Sequence, residues 1–386
     1  MFLRPLLFLA LCQAAHAQLP SIAICAAENP GCIIPDVQGL LAATGRFQTV
    51  DVLNVMTAIP TLAELSAYDS VLVWSNQSWL DGFALGEVMA DYVDAGGGVV
   101  VSLFANTTNN PNRILGGRWL TGGYEVILTQ AGTTVGSSSL GTVLVPGHEV
   151  MAGVSTISAS SAYRPTTSTL VSGFVLAEWA DGKILAAVDT SRRRVDLGLY
   201  PPSGNCISGY YNPVTTDAVR LMANALEYAA DRNSVGAVFC EPAATNSTGQ
   251  AARLRGNSTT APGSGVHLEV DQGPPTSFGY FLVGTGAAAT GIPVSQGLLC
   301  LAATGTNQIG RYNVVGGALN SVGQFNAAGE LVNLVGTSTV GTGFDVPSEI
   351  PSIGGSIAAG QTWHFQAWFR EAAGASNFTN GLSVTF

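Results

Sequence analysis

Charged side chains are scarce in this sequence of 386 residues. Asp, Glu, Lys and Arg make up 10% of the chain, and the formal net charge is −10. Because binding to nucleic acid phosphates requires a basic surface, we expect no nucleic acid partner. Low charge combined with 47 glycines is typical of β-rich extracellular proteins with many turns.

Side chains that commonly carry catalysis are also few. After residue 17 there is one lysine, Lys183, and the histidines are His148, His267 and His364. The G-x-S-x-G pentad, which exposes a serine nucleophile on a sharp turn, does not occur. This inventory favours a protein that is not an enzyme.

Cofactor and metal signals are weak. The segment 284–289 resembles a dinucleotide-binding loop, but no predicted helix follows it, so we expect no cofactor. Glu87, Asp91 and Asp94 share one face of a predicted helix. Such a face is more often solvated than metal-binding, so we expect no metal site.

The apolar run at the start, residues 6–11, is too short to span a bilayer, and no later segment is long and apolar enough. Arg4 precedes this run and Ala15-His16-Ala17 follows it, which predicts a signal peptide over residues 1–17. A lipid anchor at Cys12 is the alternative, but the bulky Leu11 before it disfavours it. We therefore expect a secreted or extracellular protein, free or at the cell surface.

Export makes disulfides the expected state of the five later cysteines. Cys240 and Cys300 both lie in the C-terminal part and are expected to pair. Cys25, Cys32 and Cys206 follow predicted strands whose loops share one sheet edge. Proximity favours Cys25–Cys32, which leaves Cys206 as a buried thiol or, alternatively, a nucleophile.

The chain divides into two predicted domains. Residues 18–232 alternate strands and helices, which predicts an α/β doubly wound, mostly parallel sheet, although 119–145 and 170–199 contain strands alone. Residues 233–386 lose helical periodicity and alternate apolar and polar positions, as in Trp363, Phe365, Ala367 and Phe369. This pattern predicts an all-β sandwich.

The first region resembles the class I glutamine-amidotransferase-like group, in the branch near trehalose-utilisation-type proteins. The resemblance is carried by residues 68–76 (YDSVLVWSN), 85–98, Gly147-His148 and 224–226. It implies a flavodoxin/amidotransferase-like fold. Members that hydrolyse glutamine place a cysteine after the strand matching 99–104, whereas this chain has Ala105-Asn106 there. The resemblance therefore does not imply glutamine hydrolysis.

The second region is similar to a C-terminal β domain of secreted proteins from environmental bacteria. The similarity is carried by residues 246–250, 274–281, 295–300, 310–312, 361–370 and 376–386. It implies sorting, surface attachment or binding rather than a known chemistry.

Candidate binding residues follow predicted strands at the carboxyl edge of the first sheet, where open α/β sheets hold ligands. They are Asn76, Trp79, Asn106 and Asn109, with His148 on a separate loop. An indole among amides suits a neutral polar ligand such as a sugar, while the alternative is that Trp79 packs beneath its loop.

The sequence thus favours a secreted, non-catalytic protein that binds a glycan or another cell-surface component. An extracellular hydrolase using His148 at the carboxyl edge is one alternative, and a structural envelope component is another.

Overall fold

The computed structural model describes residues 19–108, 110–129, 132–166, 169–191, 193–231, 234–314, 317, 319–334, 341–351, 353–371 and 374–386. The predicted signal peptide, residues 1–17, and the candidate residue Asn109 lie outside this part of the chain.

The first half of the chain forms one large sheet. Its strands are β1 Ser21–Ala27, β2 Thr49–Leu53, β3 Ser70–Ser75, β4 Gly98–Ser102, β5 Thr133–Val143, β6 Ser158–Pro165, β7 Phe174–Trp179, β8 Ile184–Val188 and β9 Arg194–Leu197. The spatial order is β2-β1-β3-β4-β9-β8-β7-β5-β6. The strands from β2 to β9 in this order run parallel, and the remaining pairs are antiparallel. The sheet is therefore mixed.

Helices flank this sheet sparsely. They are α1 Ile33–Ala43, α2 Leu62–Leu65, α3 Gly82–Asp94, α4 Arg118–Thr121 and α5 Ala218–Ala230, with a 3-10 turn at Glu149–Met151. Helix α3 begins where Asp81 accepts hydrogen bonds from the amides of Phe83 and Ala84. Its buried stripe of Leu85, Met89 and Tyr92 packs against the sheet.

The predicted α/β doubly wound, mostly parallel fold is wrong. The chain is mostly β, with 37% strand and 14% helix in the part described. The capping box at Thr61 and Glu64 is present, but helix α2 spans only 4 residues. Residues 133–188 add antiparallel strands where a doubly wound fold would carry helices. The capping box marks where α2 begins, but it does not determine how long the helix is.

The second half forms further sheets. Its strands are β10 Ala237–Phe239, β11 Arg253–Ser258, β12 Val266–Asp271, β13 Phe278–Gly284, β14 Ala287–Val294, β15 Gly297–Leu301, β16 Ile309–Arg311, β17 Gly323–Phe325, β18 Leu331–Asn333, β19 Phe344–Asp345, β20 Thr362–Arg370, β21 Ser376–Phe378 and β22 Gly381–Thr385. The main sheet has the path β10-β22-β20-β13-β17-β18, with β16 beside β13 and β21 beside β20. Strands β11, β12 and β19 form a three-stranded sheet, and β14 and β15 form a hairpin.

Strand β20 shows how the second core is built. Trp363, Phe365, Ala367 and Phe369 are all buried on one face, which confirms the predicted alternation. They pack in one cluster with Phe281 of β13 and Leu268 of β12. Burying each large apolar side chain stabilises the fold by about 1.5–3 kcal/mol. The domain boundary at 232/233 and the sandwich arrangement stay predictions.

Two disulfides link the chain. Cys240 pairs with Cys300, as expected, and Cys32 pairs with Cys206. The expected Cys25–Cys32 pairing is wrong, because the Cys25 side chain is fully buried in the core. Two disulfides indicate an oxidising, extracellular setting. Among the described residues, no helix has the length and apolar character needed to cross a membrane.

Candidate functional site

The carboxyl edge of the first sheet is organised around Glu28, which follows β1 and is only 3% exposed. Its carboxylate accepts hydrogen bonds from Trp74 Nε1 at 3.0 Å, from Asn76 Nδ2 at 3.1 Å and from the Tyr200 hydroxyl. These donors come from β3, the loop after it and the chain after β9. Three donors satisfy a buried carboxylate, so Glu28 joins neighbouring strand ends.

An aromatic cluster lies beside this carboxylate. The ring of Tyr200 is 5.1 Å from Phe104 and 5.5 Å from Tyr210, and Phe104 also contacts Tyr163 at 5.1 Å. Burial, and then the negative charge of Glu28, raise the pKa of Tyr200 well above its usual range. The Tyr200 hydroxyl therefore stays protonated and acts as a donor. Within this cluster Tyr200 is buried, while Phe104, Tyr163 and Tyr210 are each partly exposed.

A pocket of about 400 Å³ opens at the carboxyl ends of β1 and β2. Glu28, Asn29 and Asn54 supply its polar groups, while Ile34 and Met56 contribute apolar surface. No aromatic side chain lines the described wall of this pocket. It lacks the stacking surface that the sequence predicted for this edge.

Trp79 lies in the core. Its side chain is 3% exposed, and its Nε1 donates to the carbonyl of Ile114 at 3.0 Å. It belongs to the cluster that includes Leu85 of α3. Trp79 thus packs beneath its loop and offers no face to a ligand in this structure.

Asn106 is also buried, at 3% exposure. Its Nδ2 donates at 3.1 Å to Asp196 Oδ2, which also accepts the amide of Ile127 at 2.9 Å. Burial raises the pKa of Asp196 to about 7, against the opposite effect of these two hydrogen bonds. The other oxygen of Asp196 has no hydrogen-bond partner among the described residues.

His148 lies at the other end of the sheet. It caps the 3-10 turn, where its Nδ1 accepts from the amide of Val150, and its ring is 4.8 Å from Tyr228 and 5.9 Å from Phe174. Phe174 pairs with Val188, at the amino edge of the parallel strands. The structure therefore does not bring His148 to the carboxyl edge.

A larger cavity, of about 770 Å³, lies in the second half on the outer face of the main sheet. We call it the aromatic groove. Tyr280 of β13 and Trp368 of β20 form its floor, as register partners whose ring centroids are 4.9 Å apart. Both rings are partly exposed. The guanidinium of Arg370 lies 5.1 Å from the Trp368 ring centroid and fixes that indole by a cation–π contact.

The walls of the aromatic groove come from neighbouring elements. The hairpin contributes Val294 and Leu299, and the chain before β16 contributes Asn307 and Gln308. Buried Gln366 of β20 holds this hairpin in place. Its Oε1 accepts the Cys300 amide at 2.9 Å, and its Nε2 donates to the Leu298 carbonyl at 2.8 Å. The groove thus combines a stacking floor with amide groups at its margin.

The sequence reasoning missed Tyr280 and Trp368. A signal was available, because outward positions of a strand alternate with core positions, and β20 has Trp368 between buried Ala367 and Phe369. His364 lies on the outward face of β20, opposite to the buried face that includes Trp363 and Phe365. Its ring packs 5.8 Å from Phe239, and burial lowers its pKa.

No protein family matches the chain by sequence, and no curated protein is similar to it in sequence. Among solved structures, a ThuA-like protein from Parabacteroides merdae is similar at 15% identity and a TM-score of 0.41, covering 55% of this chain and 90% of that protein. A ThuA-like protein from Bacteroides uniformis is similar at 14% identity and a TM-score of 0.37, covering 56% of this chain and 94% of that protein. The structural neighbours are thus ThuA-like proteins, at low identity and with partial coverage of this chain.

Proposed function

We propose that this is a secreted protein that binds carbohydrate without transforming it, and that the aromatic groove is the binding site. The observation that carries the proposal is the partly exposed pair of Tyr280 and Trp368 on the floor of a 770 Å³ cavity. A pyranose presents an apolar C–H face that stacks on such rings and hydroxyls that bond to amides. Asn307 and Gln308 supply amides at the margin, and the volume suits a ligand of one or a few sugar rings.

The first half of the chain supports binding over catalysis. Burial raises the pKa of the Cys25 thiol to about 12, so this side chain is a neutral core residue rather than a nucleophile. His148, the residue on which the hydrolase alternative depends, lies at the amino edge. Glycosidase, esterase and amidase assays test that alternative, because turnover by the wild type that is lost in His148→Ala would contradict a purely binding role.

The direct test is affinity electrophoresis through gels containing soluble polysaccharides, followed by titration calorimetry on any glycan that retards the protein. We expect Trp368→Ala to weaken binding about tenfold, since the stacking surface is lost. Phe83→Ala is the matched control, because this aromatic residue is exposed on α3, outside the groove. Retardation equal in Trp368→Ala and wild type, or no retardation by any glycan, would overturn the proposal and favour a structural role.

A further inference from the structure

Arg311 differs from the other basic side chains that the structure describes. Seven arginines form ion pairs with Asp or Glu. Arg113, Arg193, Arg370 and Lys183 donate to backbone carbonyls. Arg311 alone has neither kind of partner within the described ranges, and it is exposed. An unpaired guanidinium retains its full capacity to bind an anion.

This guanidinium belongs to the wall of the aromatic groove. Arg311 of β16 is the register partner of Leu282 on β13, and Tyr280 lies two residues before Leu282 on the same face. Arg311 and Tyr280 are therefore diagonal neighbours, and such neighbours are about 7–8 Å apart, with their Cβ atoms somewhat closer. Strands β13 and β20 thus place the tyrosine and the tryptophan side by side, and β16 places the cation diagonally across from the tyrosine.

The electrostatics of the groove contrast with those of the chain. The net charge of the protein is −10, yet the described residues that line the groove include Arg311 and neither Asp nor Glu. A cation without a counter-charge, beside a stacking floor, favours a ligand that has both a ring and a negative charge. A guanidinium matches a carboxylate with two parallel hydrogen bonds.

We infer that the groove recognises a sugar bearing a carboxylate, as in a uronic-acid-containing glycan. The pyranose stacks on Tyr280 and Trp368, and its carboxylate is held by the guanidinium of Arg311. This inference rests on the proposed function, because it adds the chemical class of the sugar to the same site.

The test compares polygalacturonate with its fully methyl-esterified form, which keeps the ring and removes the charge. We expect the wild type to bind the free acid at least tenfold more tightly than the ester. Arg311→Gln should abolish that preference, so that acid and ester bind with about equal affinity, and Arg311→Lys should keep part of it. Trp368→Ala should weaken binding of both polymers.

The control for general charge effects is Arg220→Gln, which removes one positive charge at an exposed side chain of the otherwise largely buried α5. Equal loss of acid binding in Arg220→Gln and Arg311→Gln would overturn the inference, and so would equal affinity of the wild type for acid and ester. Either of these two results would contradict the preference for a carboxylate but would remain consistent with glycan binding by the groove. If neither polymer and no neutral glycan binds, the proposed function fails as well.

Discussion

Asp196 allows a prediction at the scale of one residue. Its pKa, raised to about 7 by burial, means that the folded protein holds a proton that the unfolded chain releases near pH 4. Between pH 4 and pH 7 the folded state binds more protons at Asp196 than the unfolded state does. The stability that Asp196 contributes is therefore present at low pH and is lost as the pH rises towards 7.

Asp196→Asn should remove that dependence. The amide oxygen can accept from both Asn106 and Ile127, which now share one carboxylate oxygen. Urea unfolding should give the free energy of unfolding of Asp196→Asn and of wild type at each pH. We expect the difference, variant minus wild type, to increase by about 1–4 kcal/mol between pH 4.5 and pH 8. Asp91→Asn, an exposed partner of Arg118, is the control and should show no such trend. A constant difference between Asp196→Asn and wild type across this range would contradict the prediction.

Single residues also show where sequence reasoning stops. The positions of Trp79 and Asn106 after strands were predicted correctly, but their side chains point into the core. A loop position indicates that a residue is near a sheet edge. It does not indicate whether the residue faces solvent, since that depends on segments such as the one containing Ile114 that pack over it.

At the scale of the elements, the Cys240–Cys300 disulfide should matter for binding as well as for stability. Cys300 lies on β15 next to Leu299, which lines the aromatic groove. Replacing both cysteines by serine should cost about 2–4 kcal/mol of unfolding free energy, because the cross-link closes a long loop. It should also weaken glycan binding, because the hairpin that forms one wall of the groove is then no longer cross-linked to the chain at position 240.

The matched control is the double serine variant at Cys32 and Cys206. It also removes one disulfide, but at the carboxyl edge of the first sheet. Urea unfolding should show a loss of stability in both double variants, while calorimetric titration should show weaker binding only in the first. Equal affinities in the two variants would show that the disulfide does not support the groove.

Elements defined by local patterns were predictable. The predicted helix that carries Glu87, Asp91 and Asp94 is α3, and the predicted alternation from Trp363 to Phe369 is that of β20. The aromatic groove was not predictable, because it depends on β13 pairing with β16 on one side and with the distant β20 on the other. Neither the residue composition nor the spacing of apolar residues along a strand predicts which strands pair.

At the scale of the whole molecule, the two halves meet in a charged contact. Glu149 lies 3.1 Å from Arg255 and 3.5 Å from Arg253, and Arg255 also pairs with Asp271 at 2.8 Å. Gln272 donates to the carbonyl of Gly147 beside them. Because the Arg253 side chain is nearly buried, its charge depends on nearby acids for compensation.

Glu149→Gln should therefore weaken the coupling between the halves. We expect a loss of about 1–2 kcal/mol and a thermal unfolding profile that broadens or separates into two transitions in calorimetry. Glu227→Gln is the matched control, because its ion pair with Arg46 has similar exposure but lies within the first half. Identical profiles for the two variants would argue against this coupling.

The Cys32–Cys206 bond has a mechanical consequence. It joins positions separated by 174 residues, so a force applied outside this pair cannot stretch the chain between them. The disulfide thereby prevents the extension of roughly 600 Å of chain, at about 3.5 Å per residue. Strands β2, β3, β4 and β9 lie within this covalent ring, whereas β1 and Glu28 precede Cys32 and lie outside it. A protein tethered to a glycan would keep these four strands linked under tension, while segments outside the ring, β1 among them, yield first.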